Sequence, residues 1–267
     1  MHKWIDSHCH YDFDVFSSVR QQHWQWCQQQ GIQALLIPGI TLAQSQRLAD
    51  FCRHQPWLWS VGLHPYFMAQ HRAGEVEQLA GLIRPGCVAI GEFGLDYVVA
   101  RSDHERHLQW QLFDQQLALA QQLKLPIILH VRKAHDQVAQ RLRQRQFSYG
   151  GVVHAFTGSE QQAKAYLDCG LHLGLGGAFT HVRAQRLRRT VKALPLSAWL
   201  LETDAPDMAP AFIHRDQLPA NSPAMIPLYG QLLAHLVSLP LAQIALQTTE
   251  TFGTVFAQNP FDISGLN

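Results

Sequence analysis

Eight short apolar or β-branched runs recur along this chain, each followed by a longer segment of helical or mixed pattern. The runs are Trp4–His8, Ala34–Pro38, Leu58–Gly62, Val88–Gly91, Pro126–His130, Gly151–His154, His172–Leu175 and Trp199–Glu202. Between them lie Val19–Gln30, Leu42–His54, Glu75–Arg84, His104–Leu123, His135–Gln146, Glu160–Cys169 and Arg183–Leu194, and two more helical patterns, Pro223–Leu236 and Pro240–Ala257, follow the eighth run. Strands alternating with helices predict a parallel sheet. Eight such units in 267 residues predict an α/β fold, a closed (β/α)8 TIM barrel taken as a single domain over residues 1–267. An open doubly wound sheet is the alternative, but no Gly-x-Gly-x-x-Gly follows the first run, so nothing supports a dinucleotide site.

Composition narrows the function classes. The formal net charge is +1, so a strongly basic nucleic-acid coat protein is excluded and any polyanion site must be local. Cys9, Cys27, Cys52, Cys87 and Cys169 are scattered and odd in number, without Cys-x-x-Cys spacing, which argues against a disulfide framework or a structural zinc cluster. With no basic stretch leading into an apolar run and no run long enough to span a bilayer, a cytoplasmic protein without membrane or evident protein partners is expected.

Barrel active sites lie at the C-terminal ends of the strands, so what each run ends with decides the chemistry. The first ends in His8-Cys9-His10, whose alternate side chains share a face while Cys9 turns away. Glu92 follows the fourth run, His130 ends the fifth, His154 ends the sixth, and Glu202-Thr203-Asp204 ends the eighth. His64 arrives from the third. Core filling would favour Val, Ile and Leu at these ends. Two divalent ions about 3.5–4 Å apart repel each other and need an anionic bridge, which the two oxygens of Glu92 can supply. His8, His10 and Asp204 would hold one ion, and His130 and His154 the other. A water shared by the ions loses a proton near neutral pH, and Asp204 can take it. Glu202 can orient substrate or assist that transfer, and His64 can meet a leaving group or phosphate oxygen. Asp96, Arg132 and His135 are further mouth residues expected to touch substrate, His135 where a helix N-terminus could also meet phosphate. His172 opens its strand and belongs at the opposite face. The basic segment Arg183, Arg186, Arg188, Arg189 and Lys192 reads as a solvated helix face or a phosphate-steering surface.

The ordered set Asp6-Ser7-His8-Cys9-His10, Gly62-Leu63-His64-Pro65, Gly91-Glu92-Phe93-Gly94-Leu95-Asp96, the His130 segment, His154-Ala155-Phe156-Thr157-Gly158 and Leu201-Glu202-Thr203-Asp204-Ala205-Pro206 resembles the TatD family of metal-dependent deoxyribonucleases, within the amidohydrolase-like barrel hydrolases. The resemblance implies a divalent-metal-dependent DNase of 3′–5′ exonuclease type. His8, His10, Glu92, His130, His154 and Asp204 would be metal ligands, Asp204 also the base, and nucleic-acid ends the substrate. The cofactors would be two divalent cations per subunit, with Zn, Mn and Mg all compatible. A small-molecule or aminoacyl ester or amide hydrolase of the amidohydrolase type is the alternative. Where the family shows an Arg-Asn-Glu-Pro-like turn, this chain reads Ala220-Asn221-Ser222-Pro223, which marks a divergent paralogue and bears on substrate contacts.

Overall fold

The computed structural model describes residues 2–213 and 221–256. Eight parallel strands follow one another in chain order: β1 (Trp4–Asp6), β2 (Ile32–Ile37), β3 (Trp57–Val61), β4 (Cys87–Asp96), β5 (Ile127–Arg132), β6 (Gly151–Val153), β7 (Leu171–Leu175) and β8 (Trp199–Leu201). Helices α1 (Arg20–Gln29), α2 (Leu42–Phe51), α3 (Glu75–Ala80), α4 (Asp103–Leu123), α5 (His135–Gln144), α6 (Glu160–Leu167) and α7 (Gln185–Ala193) connect successive strands. Two more, α8 (Ile226–Val237) and α9 (Leu241–Phe256), follow β8. Beyond the ladders, Ser7 N–H donates to Leu201 C=O at 3.0 Å and Asp204 N–H to His8 C=O at 2.8 Å, bringing β8 against β1 and completing the predicted (β/α)8 barrel.

Alternation along the strands sorts two cores. One side of the sheet packs against the helices, with Leu35, Ile37, Trp59, Ile127 and Trp199 among its members. The other side is a separate apolar cluster inside the barrel: Leu36, Leu58, Val88, Ile128, Val152 and Leu200, with Ile5 beside them. Leu58, Val88, Ile128, Val152 and Leu200 are each the second residue of their strand, so this layer is a floor near the N-terminal end. Phe252, Val255 and Phe256 of α9 join it from below. On β7 the residue paired with Leu200 is Gly174. A Cβ there would lie 2.0 Å from Glu202 Oε2, so the glycine makes room for that carboxylate.

Helices α2, α4 and α6 start where a side chain, Thr41, Ser102 or Ser159, satisfies a free N–H group. Ser102 and Glu105 form a capping box on α4, as Ser159 and Gln162 do on α6. Among the described residues no single helix is long and apolar enough to cross a membrane. The turn and α8 over Pro223–Val237 pass that test only jointly with α9, across a 113° bend, and both helices pack on the barrel.

Two strand ends differ from expectation. The first run was expected to stay extended through His8, but β1 leaves the ladder after Asp6. His8 and His10 lie on the continuing segment, held by Cys9 N–H donating to Leu36 C=O at 3.0 Å. The fourth run was expected to stop at Gly91, yet β4 continues to Asp96, because Phe93 to Asp96 pair with Leu129 to Arg132 of β5 after a register shift. Glu92 therefore stands within a strand.

Candidate metal centre

The site lies one pleat above the floor. His154 comes two residues after Val152, His130 two after Ile128 and Glu202 two after Leu200, all sharing the inward side of their strands. Glu92 is 1% exposed and sits among five imidazoles. Its Oε2 faces His8 Nε2 at 3.1 Å and His10 Nε2 at 3.9 Å. Its Oε1 faces His154 Nε2 at 2.9 Å, His64 Nε2 at 3.0 Å and His130 Nδ1 at 3.1 Å. Asp204 Oδ1 completes the first cluster, 3.6 Å from His8 Nε2 and 3.5 Å from His10 Nε2. The carboxylate thus presents a separate oxygen to each of two histidine clusters, the division expected of a bridge.

Electrostatics favour a cation here. Burial opposes ionisation of Glu92, but its imidazole neighbours, His154 first, outweigh it and hold the carboxyl well below its usual range. Burial lowers His8, and pushes His10 down to about 3 and His64 to about 4, leaving neutral rings with lone pairs. For His154, burial is outweighed by Glu92 and Glu202, which raise it well above normal. Burial raises Asp204 well above the usual carboxylate range, against the pull of His154. His8 Nε2 and Glu92 Oε2, though close, make no well-formed hydrogen bond. Buried polar atoms are seldom left so. An anionic carboxylate, lone-pair imidazoles and unpartnered atoms converging on one point fit a divalent metal with mixed N and O ligands. The groups His8, His10, Glu92 and His64, Glu92, His130 each bring ligand atoms within 4.8 Å of one another.

His64 has a further constraint. Its Nδ1 accepts the Tyr66 N–H at 3.0 Å, so the proton of the neutral ring is on Nε2. It faces Glu92 as a donor, which suits the expected role toward a phosphate or leaving-group oxygen better than metal ligation.

Two acidic residues stand elsewhere than expected. Asp96 is fully buried, accepting from His130 Nε2 at 3.0 Å and from Arg132 Nη1 at 3.1 Å. Because β4 runs on beside β5, Asp96 lies behind His130 and orients it instead of facing substrate. Burial opposes its ionisation, but His130, the Val98 N–H and Arg132 hold its carboxyl below the usual range. Glu202 is also fully buried, its Oε1 accepting the Ala155 N–H and lying 3.7 Å from His154 Nδ1. Full burial beneath His154 keeps it from the open mouth where contact with substrate was expected, and its Oε2 and His154 Nδ1 both lack a hydrogen-bond partner. The Asp96→Asn variant turns an amide N–H₂ toward His130 and Arg132. It is expected to weaken metal binding 10–100-fold, roughly the usual loss for such partners, in a calorimetric Mn²⁺ titration. Unchanged affinity would remove Asp96 from the centre.

Arg132 is half-exposed at the rim, 51% by side chain. His135 opens α5, half-buried. Tyr166 O–H donates to the His135 carbonyl at 3.1 Å, so the contact of His135 Nδ1 with the same hydroxyl at 3.2 Å makes Nδ1 the donor and Nε2 the free acceptor. The divergent turn is partly visible: Ala220 lies outside the described residues, as does Ala257 of the last helical pattern. Asn221 is buried, its amide donating to the carbonyls of Thr203 and Asp207, both at 2.7 Å, and so pins the Asp204 segment. Ser222 bonds His23 Nε2 at 2.8 Å, away from the histidine clusters. Cys9 is a buried thiol pushed well up by burial, and His172 stands at the opening of β7, as expected.

Three residues were missed as supports. Asp6 Oδ1 accepts from His8 N–H at 3.2 Å and Thr203 N–H at 3.0 Å, joining the two candidate ligand segments. On α4, Gln116 exchanges hydrogen bonds with both backbone groups of Leu63, at 2.8 and 3.0 Å, while Gln109 bonds Asp96 N–H at 2.9 Å and Pro65 C=O at 3.4 Å. The backbone is therefore gripped on each side of His64. The signal was present as two glutamines seven residues apart on the apolar stripe that includes Phe113 and Ala120.

Known proteins with the same sequence pattern bear on this geometry. A relative from Escherichia coli K12, described as the uncharacterized metal-dependent hydrolase YjjV, is 40% identical over 210 residues, 77% of this chain and 80% of its own. A Pantoea protein named 3′-5′ ssDNA/RNA exonuclease TatD is 35% identical over 251 residues, 91% of each chain. The crystal structure of YjjV, a TatD homologue from E. coli, superposes with a TM-score of 0.86 at 34% identity, covering 95% of this chain and 98% of that one. The family described as TatD related DNase matches residues 5–257, a span that includes every histidine and carboxylate of the centre. Barrel, centre and relatives agree, and the chain belongs to the TatD related DNase family of metal-dependent hydrolases.

Proposed function

We propose that this hydrolase is a phosphodiesterase that removes nucleotides from the 3′ end of single-stranded nucleic acid, using two divalent cations. The observation that carries the reading is the two-sided Glu92, one oxygen toward His8 and His10 and the other toward His64, His130 and His154. The name of the Pantoea relative supports the substrate class. His8, His10 and Asp204 would hold one cation and His130 and His154 the other, with Glu92 shared. When bound, the pair supplies Lewis acidity and an activated water.

The chain's own groups do the rest. Asp204 accepts the proton of the attacking water on its carboxylate. His64 presents its Nε2–H to the phosphate or departing oxygen. Asp96 holds His130 in orientation, and the Glu202 carboxylate lies beneath His154 as a nearby negative charge. Arg132 meets the phosphate chain at the rim. His135, neutral with Nε2 as acceptor, meets a sugar hydroxyl or base N–H, because a lone pair and a phosphate oxygen repel.

The test is a chelator-stripped assay on 5′-labelled single-stranded DNA, with Mn²⁺ or Mg²⁺ restored. A ladder shortening from the 3′ end only after metal addition is the expected result. No cleavage by a protein that demonstrably holds its metals would move the assignment to small ester or amide substrates.

A further inference from the structure

Just outside the centre the mouth has two unlike halves. On the side of β1 and β3 it is aromatic. Phe13 stacks on His10, with ring centroids 4.8 Å apart and planes 20° apart. Phe67 meets His64 edge-on at 5.8 Å, and Tyr66 meets Phe67 edge-on at 5.3 Å. Tyr66 is 62% exposed, directly beyond two buried residues, His64 and Pro65. Both aromatic segments are fixed to the centre. Tyr66 N–H is engaged by His64 Nδ1, and Arg20 donates to the carbonyls of Tyr11, Asp12 and Phe13 at 3.1, 3.2 and 3.1 Å. On the side of β5 to β7 the rim is cationic. Arg132 stands half-exposed beside Asp96, and Arg186 reaches the Thr157 carbonyl at 3.0 Å.

We propose that the aromatic half is a nucleobase platform: Tyr66, backed by Phe67 and with Phe13 alongside, takes the unpaired base at the strand end while the cationic half takes the sugar–phosphate chain. This deepens the nuclease reading and rests on it. An exposed ring held rigidly beside a reaction centre loses little entropy when a base lies on it, and stacking tolerates any base because each has a π-face. The neighbouring cations supply charge complementarity for the chain that carries the base. A base within a duplex has both faces covered by its neighbours, so the platform favours frayed or single-stranded ends. The other exposed apolar side chains after strands of this face, Val19, Val182 and Phe212, follow β1, β7 and β8, and among the described residues no ring contact links them to a histidine of the centre.

The test compares two 5′-labelled single strands, one ending in an ordinary 3′ nucleotide and one ending in an abasic residue. The kcat/KM for removing the terminal residue is measured with metal-loaded wild type, Tyr66→Ala and Tyr66→Phe, after circular dichroism and metal content confirm each variant is folded and loaded. Wild type is expected to prefer the base-bearing end about tenfold, a stacking-sized effect. Tyr66→Ala should bring that ratio close to one, and Tyr66→Phe should retain it. A wild-type ratio near one, or a ratio that Tyr66→Ala leaves in place, overturns the platform while leaving the nuclease reading standing. Failure of loaded wild type to cut either strand overturns both.

Discussion

Glu92→Gln is expected to remove the proposed paired-metal site and with it at least about 1000-fold of metal-dependent turnover, on the scale of losing a group that stabilises the transition state electrostatically. The substitution keeps the side chain's size in a position that is 1% exposed, so packing changes little. It removes the negative charge that faces both histidine clusters. Two cations about 3.5–4 Å apart repel strongly where little water screens them, and a neutral amide offers one acceptor where the carboxylate offered two. The N–H₂ end would also turn a donor toward ring nitrogens that must act as acceptors for a metal. Elemental analysis after dialysis against Mn²⁺ should find one ion or none, against two in wild type. Thermal melting gives an independent readout: wild type should gain stability on adding Mn²⁺, by about 2.7 kcal/mol at a hundredfold excess over Kd, and Glu92→Gln much less. A variant that still holds two ions tightly would refute the bridge.

The barrel was readable because its strands are short, apolar and regularly spaced, and because the floor residues and the candidate ligands above them obey one alternation. Val152 and His154, or Ile128 and His130, share a face by spacing alone. Alternation fails where the backbone departs from a plain strand, and there the reading of roles failed too. The register shift between Ile90 and Phe93 cannot be seen in a run broken by Gly91 and Gly94, so Asp96 read as a mouth residue touching substrate when it lies behind His130. At Gly62 a Cβ would lie 2.5 Å from the Gly91 carbonyl carbon, so β3 and β4 approach here more closely than side chains permit, and that contact is invisible in either segment alone. Glu202 and Asp204 are two apart and read as one face. In the fold Asp204 takes a left-handed backbone, φ +57°, and turns toward His8 and His10, while Glu202 stays beneath His154 beside Gly174. Gln109 and Gln116 escaped notice because polar residues on a helix ordinarily mark its wet side. Both are buried and hydrogen-bond the backbone around His64. What sequence conceals here is the direction a carboxylate or amide faces, which depends on backbone geometry set by distant segments.

That left-handed backbone makes Asp204→Asn the cleanest probe of catalysis. Asp and Asn both tolerate positive φ better than other non-glycine residues, so the variant keeps the turn that Ala would strain. The turn is further held by Asp204 N–H on the His8 carbonyl at 2.8 Å and by the Asn221 amide on the Thr203 carbonyl, neither of which involves the Asp204 side chain. Fold and melting temperature without metal should therefore stay near wild type. Turnover should fall at least about 10⁴-fold, the upper range for removing a positioned base, with ligand loss adding to it. The two losses separate by measurement. Metal saturation restores whatever activity was lost through weaker binding at the His8 and His10 side, and it restores nothing lost through the missing proton acceptor. A variant that recovers wild-type kcat at high Mn²⁺ would reduce Asp204 to a ligand and leave the base to be sought elsewhere. A variant that binds both ions yet stays inactive assigns the proton transfer to its carboxylate.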